Sequence, residues 1–548
     1  MTWTIQVGLA AESFLNILGA SLFLLFPDRC LAFAISPQAG DVPKTAAILL
    51  QTYAVMILTL TYPLLTCMPN NPGVFQRRKI IYETFAAGEI GHIGLLLWHS
   101  TKRGEESGFE PHVLRLAAIS LVPTLAWHSA VVWLWPFSQP FFIMKLLSLI
   151  LLAAIRQAFQ DCGKNGNIVF QENTTYNIQT TLQLHNLSNV QVDLRGTLLF
   201  STDVHYWIRH GSYYHFQNIS IAMEYSGEDI TIDGHDTGVI NGQGQVWYDL
   251  ALGIGGLYGR PIPFSLRNVK NGIAKNFKIL QSGKWNFVMV ESKNILVDNI
   301  YISSRSSDYQ ANPGNLGNTD GFDTINTDNV TILNSFADMG DDCISFKPGS
   351  TNMYVRNLTC HNGAGIAIGS LGQYEGKFDL VENITAEDVT IIGSRNGAYI
   401  KTYMGKSTYY PPQGGGNGTG SVKNVHFKNF HFENITASPV LIQQCSHWAG
   451  WNVPACSEYP ATGFTFDNIT WTNFTGWMNK KVGTKSISLA CSPYSTCTNF
   501  NWSDINIVPS TNGTATAACT NIDGYDDACQ KTDVEARAMP LLRWNELS

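Results

Sequence analysis

The stretches "NILVDNIYI" (294–302), "NVTILNS" (329–335), "NMYVRNLTC" (352–360) and "NITAEDVTII" (383–392) decide the fold. Each opens on Asn and then alternates apolar with polar residues, the two-residue period of a strand. The same form recurs in "NVQVDL" (189–194), "NISIAM" (218–223), "DITIDG" (229–234), "NVHFKNFHF" (424–432) and "NITWTNF" (468–474). With Asn294, Asn329, Asn357 and Asn383 as markers, successive steps are 35, 28 and 26 residues, within the range of stacked repeats. Gly, Asn and Asp supply the turns between them, and ten-residue helical patterns are almost absent. The pattern predicts an all-β domain, a right-handed parallel β-helix solenoid. Each coil would contribute short strands paired to the coils above and below, about 4.8 Å apart, with inward Val, Ile and Leu stacked into a long core. Outward residues of equivalent strands then form a continuous face that suits an extended polymer. Propeller blades would need a more regular repeat, and sandwiches more hairpin signals.

Working outward toward the N-terminus, the composition changes before about Arg156. Four apolar runs, Gly8–Phe26, Thr45–Met68, Ile80–Trp98 and Leu116–Trp135, each approach the ~20 residues that a helix needs to cross a bilayer. An all-α multi-span membrane region therefore occupies residues 1–140, ahead of the β-helix over 161–548. Glu12, Glu83, Glu89, His92 and His128 are embedded in these runs and costly in lipid, so they are expected to face the bundle interior and pair with one another. No transporter, channel or cofactor motif accompanies them.

Between the two halves, residues 141–160 read in two ways. From Met144 the chain carries one Lys, an apolar run from Leu146 to Ile155, then small and polar residues, the layout of a secretory signal peptide. It is equally a fifth span that carries the β-helix across the membrane. The first reading implies that the membrane region is a fused, separate gene product. Both deliver the second half to an oxidising exterior, and two further features agree. Twelve Asn-x-Ser/Thr acceptors lie in the second half, at Asn173, Asn186, Asn218, Asn329, Asn357, Asn383, Asn417, Asn434, Asn468, Asn473, Asn501 and Asn512, and none in the first 150 residues. Nine of the eleven cysteines are there too, with spacings such as Cys491–Cys497 and Cys519–Cys529 that suit local disulfides. Nine is odd, so one thiol stays free or pairs elsewhere. A net charge of −7 without a basic stripe argues against a nucleic-acid partner.

One region concentrates carboxylates beside glycines: "GNTDGFDTINTDNVTILNSFADMGDDCISFKPGS", residues 317–350. Asp320 and Asp323 come from one strand or turn, and Asp341 and Asp342 about one coil later, so stacking brings the pairs to neighbouring rungs. Adjacent Asp341 and Asp342 would repel if both were ionised, so one of them is expected to keep a proton. Glycoside hydrolysis needs that division, a carboxylic acid for the leaving oxygen and a carboxylate for water. Surface aspartates in turns and Ca²⁺ ligation are the competing uses of such a cluster.

At these residues the sequence resembles the polygalacturonase-type enzymes of glycoside hydrolase family 28. The resemblance covers about residues 160–530 and rests on "GVINGQGQVWYD" (238–249), "NTDGFDT" (318–324), "GDDCISFKPGS" (340–350), "GAGIAIGSLGQY" (363–374) and "YIKTY" (399–403). It implies a right-handed parallel β-helix and hydrolysis with inversion, and it implies no metal or organic cofactor. Asp341 matches the general acid, and Asp320 and Asp342 the residues that activate water. In an inverting site, acid and base carboxyls lie about 6.5–9.5 Å apart. Lys401 matches the lysine that binds a uronate carboxylate. Asn318, Asp323, Tyr374 and Tyr399 complete the expected substrate-binding set, with Trp285 and Tyr403 as further aromatic candidates for stacking or core packing.

Two departures stand out. Gly363-Ala364-Gly365 lacks the histidine usual in pectate-cleaving members, and Tyr399 stands where an arginine is expected. His361, three residues before Ala364, is a candidate replacement. The "NTDGFD" form with its preceding loop "SSDYQANPGNLG" resembles exo-acting fungal members, which remove a terminal galacturonic acid. The expected protein is a monomeric, secreted hydrolase of pectic polysaccharide, with a rhamnogalacturonan-directed hydrolase as the alternative. A β-helix that binds carbohydrate without cleaving it, and a membrane protein whose ectodomain recognises polymers, are the readings from other classes.

Overall fold

The computed structural model describes residues 2–32, 44–66, 74–101, 111–138, 140–251, 258–307, 316–407, 415–446, 458–479, 484–509 and 514–531. Most of the loop before "NTDGFD", most of "YYPPQGGG", Asn512, Cys67 and Cys456 lie outside these residues. The chain divides into two compact units, Met1–Leu147 and Ser148–Ser548.

In the first unit, four described helices contain apolar stretches long enough to cross a membrane: Val7–Leu25, Ala46–Leu65, Ile80–Trp98 and His112–Ala130. The embedded polar groups do pair. His128 is buried, its Nδ1 lies 2.9 Å from Glu89 and its Nε2 lies 3.0 Å from Glu12, which ties three helices together. The Tyr53 hydroxyl meets His92 Nε2 at 3.4 Å.

The second unit is the expected parallel β-helix. Twenty-one strands join in one network whose registers are all parallel, each coil stacking on the next. Alternation sends one stack inward, running Phe287, Phe322, Ile344, Ile366, Ala398, Val440 and Ile487 through successive coils. A second stack runs Ile295, Val330, Met353, Ile384, Val425, Ile469 and Phe500. All of these are buried, and each large aliphatic or aromatic member contributes about 1.5–3 kcal/mol by leaving water.

The asparagines explain why the coils turn where they do. Asn271, Asn294, Asn329, Asn352, Asn383, Asn424 and Asn468 all have φ between 53° and 59°, a left-handed conformation that Asn tolerates better than most residues. Side-chain amides link most of them from coil to coil, as in Asn294 to Asn271 at 2.8 Å, Asn329 to Asn294 at 2.8 Å and Asn424 to Asn383 at 3.0 Å. A parallel row contains Asn299, Asn334 and Asn357. The repeat markers therefore need correction: Asn357 belongs to the second row, and the residue stacked on Asn329 is in the Asn352 turn. "NISIAM" is corrected likewise, because Ile219–Ile221 leaves the solenoid for a separate three-stranded sheet.

The helix Pro140–Cys162 contains the signal-like stretch. In its second half Leu152, Ile155 and Phe159 are buried in the β-helix core, with the Phe159 ring 6.5 Å from Phe170 and 5.9 Å from Tyr225. This second half of the helix packs on the β-helix core within the compact unit Ser148–Ser548. Disulfides join Cys343–Cys360, Cys491–Cys497 and Cys519–Cys529, and Cys162 is free.

Candidate active site

Four short strands, Phe322–Ile325, Asp342–Phe346, Gly365–Leu371 and Ala398–Tyr403, lie on successive coils of one face. Their registers align Asp323, Ser345, Ala367 and Tyr399 in a single outward row. The four aspartates read from the sequence are gathered around the start of this row.

Asp341 sits in the turn before its strand. Its Oδ2 accepts from the Asn318 backbone N–H at 2.8 Å and from the Asn318 amide at 3.3 Å. Asn318 is steadied in turn by the buried Arg260, which donates to the Gly317 carbonyl at 2.8 Å and to Asn318 Oδ1 at 3.4 Å. Asp341 Oδ1 faces the Arg395 guanidinium at 3.3 Å. Gly363-Ala364-Gly365 folds directly against it. Gly363 has φ +64°, a Cβ there would come within 2.1 Å of the Asp341 carbonyl oxygen, and the Ala364 N–H donates to that same oxygen at 2.7 Å. Only glycine fits this approach.

Asp342 is buried, with Lys401 Nζ 2.7 Å from its Oδ2 and the Tyr399 hydroxyl donating to its Oδ1. Burial works against its charge, but Lys401 and Lys347, together with the Lys401 and Tyr399 hydrogen bonds, hold it below the usual carboxylate range. Asp320 behaves oppositely. Burial and then the neighbouring Asp323 push its carboxyl well above that range, although Lys347 opposes them. Burial likewise raises Asp323 to about 6 against the pull of Lys347. Of the adjacent pair Asp341 and Asp342, then, Asp342 is held charged, and the groups that retain a proton most readily are on the preceding rung.

Lys347 is the pivot between the rungs. Its ammonium lies 2.9 Å from Asp323 Oδ1, 3.6 Å from Asp320 Oδ2 and 2.9 Å from the Ser345 hydroxyl. It also lies 4.3 Å from the centroid of the Trp285 ring. Lys284 lies 5.0 Å from the same centroid, and burial, then Arg260, draws its ammonium down to about 7. Trp285 is itself buried, so it packs beneath two cations and is closed to a sugar ring. Tyr403 is buried as well. The Tyr374 hydroxyl accepts from the Gln217 N–H at 2.7 Å, and its ring meets Phe216 edge-on at 5.8 Å. His361 points its ring toward Phe336, 6.0 Å away, on another face of the coil.

An apolar cluster covers the rung that precedes Asp323. The hairpin of Ser212–Tyr214 and Ile219–Ile221, joined by Pro261–Ile262, lays Tyr214, Phe216, Ile219, Ile221 and Ile262 over Trp285, Val288, Val290 and Ile325. Every residue of the strand Phe287–Val290 is buried on both faces. Behind this wall opens a recess of 820 Å³, lined among others by Tyr214, Phe216, Asn326, Tyr374 and Asp379.

Sequence reasoning found all four aspartates together with Asn318, Tyr399 and Lys401, and the structure brings these seven together. It missed Arg260, Lys284, Lys347 and Arg395. Lys347 lies inside the motif "GDDCISFKPGS", two residues after the outward Ser345, and that alternation was the available signal. Arg395 lies in the turn before its strand, where no periodicity applies.

Comparison with known proteins agrees with this geometry. The chain matches the family described as Glycosyl hydrolases family 28 over residues 165–531. A probable exopolygalacturonase X of Neosartorya fischeri is 35% identical over 371 residues, covering 67% of this chain and 83% of that protein. Exopolygalacturonase B of Aspergillus niger is 34% identical over 369 residues, covering 67% and 80%. Among solved structures, endo-xylogalacturonan hydrolase from Aspergillus tubingensis superposes with a TM-score of 0.56 at 26% identity, covering 69% of this chain and 94% of its own. The chain belongs to glycosyl hydrolase family 28.

Proposed function

We propose that the β-helix hydrolyses α-1,4-linked galacturonan with inversion, removing galacturonic acid from the non-reducing end. The observation that carries this reading is a carboxylate cluster interleaved with buried cations, set one rung from an apolar cluster under the Ser212–Ile221 hairpin, which this reading takes as the end of the groove. A groove that stops beside its catalytic groups accepts a chain end, whereas an open groove accepts an internal segment. The fungal exopolygalacturonase relatives support the same conclusion.

In this mechanism Asp341, at the mouth of the cluster, protonates the leaving glycosidic oxygen. Asp342, held ionised by Lys401 and Tyr399, accepts the proton of the attacking water. Asp320 shares that water from the neighbouring rung and becomes competent as a second base once it loses its proton. Asn318 aligns Asp341, while Lys401, Asp323 and Tyr399 set the charge and position of the carboxylates that face the sugar. Asp341→Asn removes the acid, and reducing-sugar release from polygalacturonate should fall about 10²–10⁴-fold. Unchanged turnover would refute the assignment. Wild-type product analysis gives the exo test: monogalacturonate alone from the first minutes, against a ladder of oligomers for endo action.

The hydrolase acts outside the cell. The acceptor tripeptides and disulfides favour export, and the membrane-type helices of residues 1–140 serve as its tether where the two units remain one polypeptide. Detection of the β-helix in culture medium, together with a mass shift after deglycosylation, tests export. A continuous full-length band in the membrane fraction tests the tether.

A further inference from the structure

We infer that Arg395 is the cation that grips the uronate carboxylate of the substrate, exchanging its contact with Asp341 for the sugar's carboxylate when a chain end enters. The inference rests on the galacturonan reading above and adds a binding residue to it.

Among the described residues three cations make ion pairs with the aspartate cluster, and they differ in what they can still do. The Lys347 side chain is 4% exposed and is committed to Asp323 at 2.9 Å, with Asp320 at 3.6 Å. The Lys401 side chain is 11% exposed and lies 2.7 Å from Asp342. Withdrawing either would strand a buried carboxylate, which is costly. The Arg395 side chain is 53% exposed, and among the described residues it pairs with Asp341 at 3.3 Å, a longer contact than Lys347–Asp323 or Lys401–Asp342. An incoming anion can therefore reach it without uncovering a buried charge.

The backbone that presents Arg395 is fixed. Its N–H donates to the Gly363 carbonyl at 2.9 Å, Ser394 before it is fully buried, and the Gly397 N–H donates to the Ser438 carbonyl at 3.2 Å. The turn is thus held between two coils while the side chain reaches back to Asp341. Ala364, beside the Gly363 carbonyl that anchors this turn, packs with Ala367 and Tyr399. A guanidinium on a rigid turn, carried by a half-exposed side chain, matches carboxylate geometry better than an ammonium would.

The exchange also has a consequence for Asp341. In the free enzyme this carboxylate accepts from Asn318 twice and faces Arg395. Moving Arg395 to the substrate leaves Asp341 held by its two Asn318 hydrogen bonds.

The test compares wild type, Arg395→Gln, Arg395→Lys and the double variant Arg395→Gln with Tyr399→Arg, on polygalacturonate and on its methyl-esterified form. A lost charge-assisted contact should raise KM for polygalacturonate about 10–100-fold. The preference for polygalacturonate over the ester, as a ratio of kcat/KM values, should fall by a similar factor. Arg395→Lys should keep part of that preference, and the double variant should regain part by returning an arginine to the same end of the groove. An equal loss on both polymers, or no loss on either, overturns the inference, as does a Lys variant no more selective than the Gln variant. If Arg395→Gln fails to fold by thermal melting, the Lys and wild-type comparison decides alone: an unchanged preference together with unchanged KM overturns the inference. Failure of the galacturonan reading would appear separately, as absence of polygalacturonate turnover in the wild type.

Discussion

Val288 and Asp323 occupy the same register position on adjacent rungs of the solenoid. Both are fully buried, yet they serve opposite ends. Val288 lies with Trp285 and Val290 in the apolar cluster that contains Tyr214, Phe216, Ile219 and Ile221 of the hairpin. Asp323 lies against Lys347 among four aspartates. The backbone is the same at both positions, so rung geometry does not assign the function. What lies over each rung does. An apolar side chain there recruits a cover, and a carboxylate there recruits a cation.

The sharpest way to break this contrast is to remove the cover. Ser212 and Ile221 pair directly across the hairpin, so the segment between them can be excised and its ends joined by two glycines. Products from polygalacturonate should change from monogalacturonate alone to a range of oligomers, read by anion-exchange chromatography. Retained release of monomer only would show that the wall does not set the mode of attack. A gentler version, Phe216→Ala, should yield a minor oligomer fraction.

The two rungs were unequally legible in the sequence. The carboxylates could be read because the coil period carries "NTDGFD" and "GDDC" to neighbouring rungs. The core could be read because inward positions repeat as branched or aromatic residues. The wall could not, because "NISIAM" has the same Asn-apolar alternation as a true coil while Ile219–Ile221 pairs with Tyr214 and Ile262 instead. Alternation reports that a strand buries one face, but not which sheet buries it. The Asn357 slip has a similar origin: coils carry two such turns, built on Asn or Asp with similar positive φ, and sequence spacing does not tell one row from the other. Lys347 and Arg395 reach their partners across coils, through contacts without a local pattern.

A second prediction works from the charged side. Lys347→Met removes the cation from beneath Asp320 and Asp323 and leaves two buried carboxylates facing each other. Loss of one partner from a buried ionic group costs about 3–5 kcal/mol, so urea unfolding at neutral pH should show a drop of that order. The drop should shrink in acid, where the two groups take up protons. The matching change on the apolar rung, Val288→Ala, should cost about 1–3 kcal/mol through the cavity alone and be the same at both pH values. Equal pH dependence in the two variants would show that Lys347 does not neutralise the pair.

The smallest effect concerns a carboxyl on the far side of the wall. Asp379 lines the recess with Tyr214 and Phe216, and its Oδ2 accepts from the Gly372 N–H at 2.7 Å. Burial raises it to about 6, and that one hydrogen bond only partly offsets the shift. Its value in the unfolded chain is near the ordinary ~3.9. A raised folded-state value means that the native state holds the proton more tightly, so the associated stability is complete below about pH 4 and is lost as pH rises through about 6. For a shift of this size the loss is about 2 kcal/mol. Between pH 4 and pH 7, wild-type stability should therefore fall by about 2 kcal/mol more than that of Asp379→Asn, which cannot ionise. Asp320 and Asp323 contribute the same sign of slope in both proteins, so the difference isolates Asp379. Parallel profiles would mean that the recess stays wet enough to solvate the charge, and that the wall seals the groove on one side only.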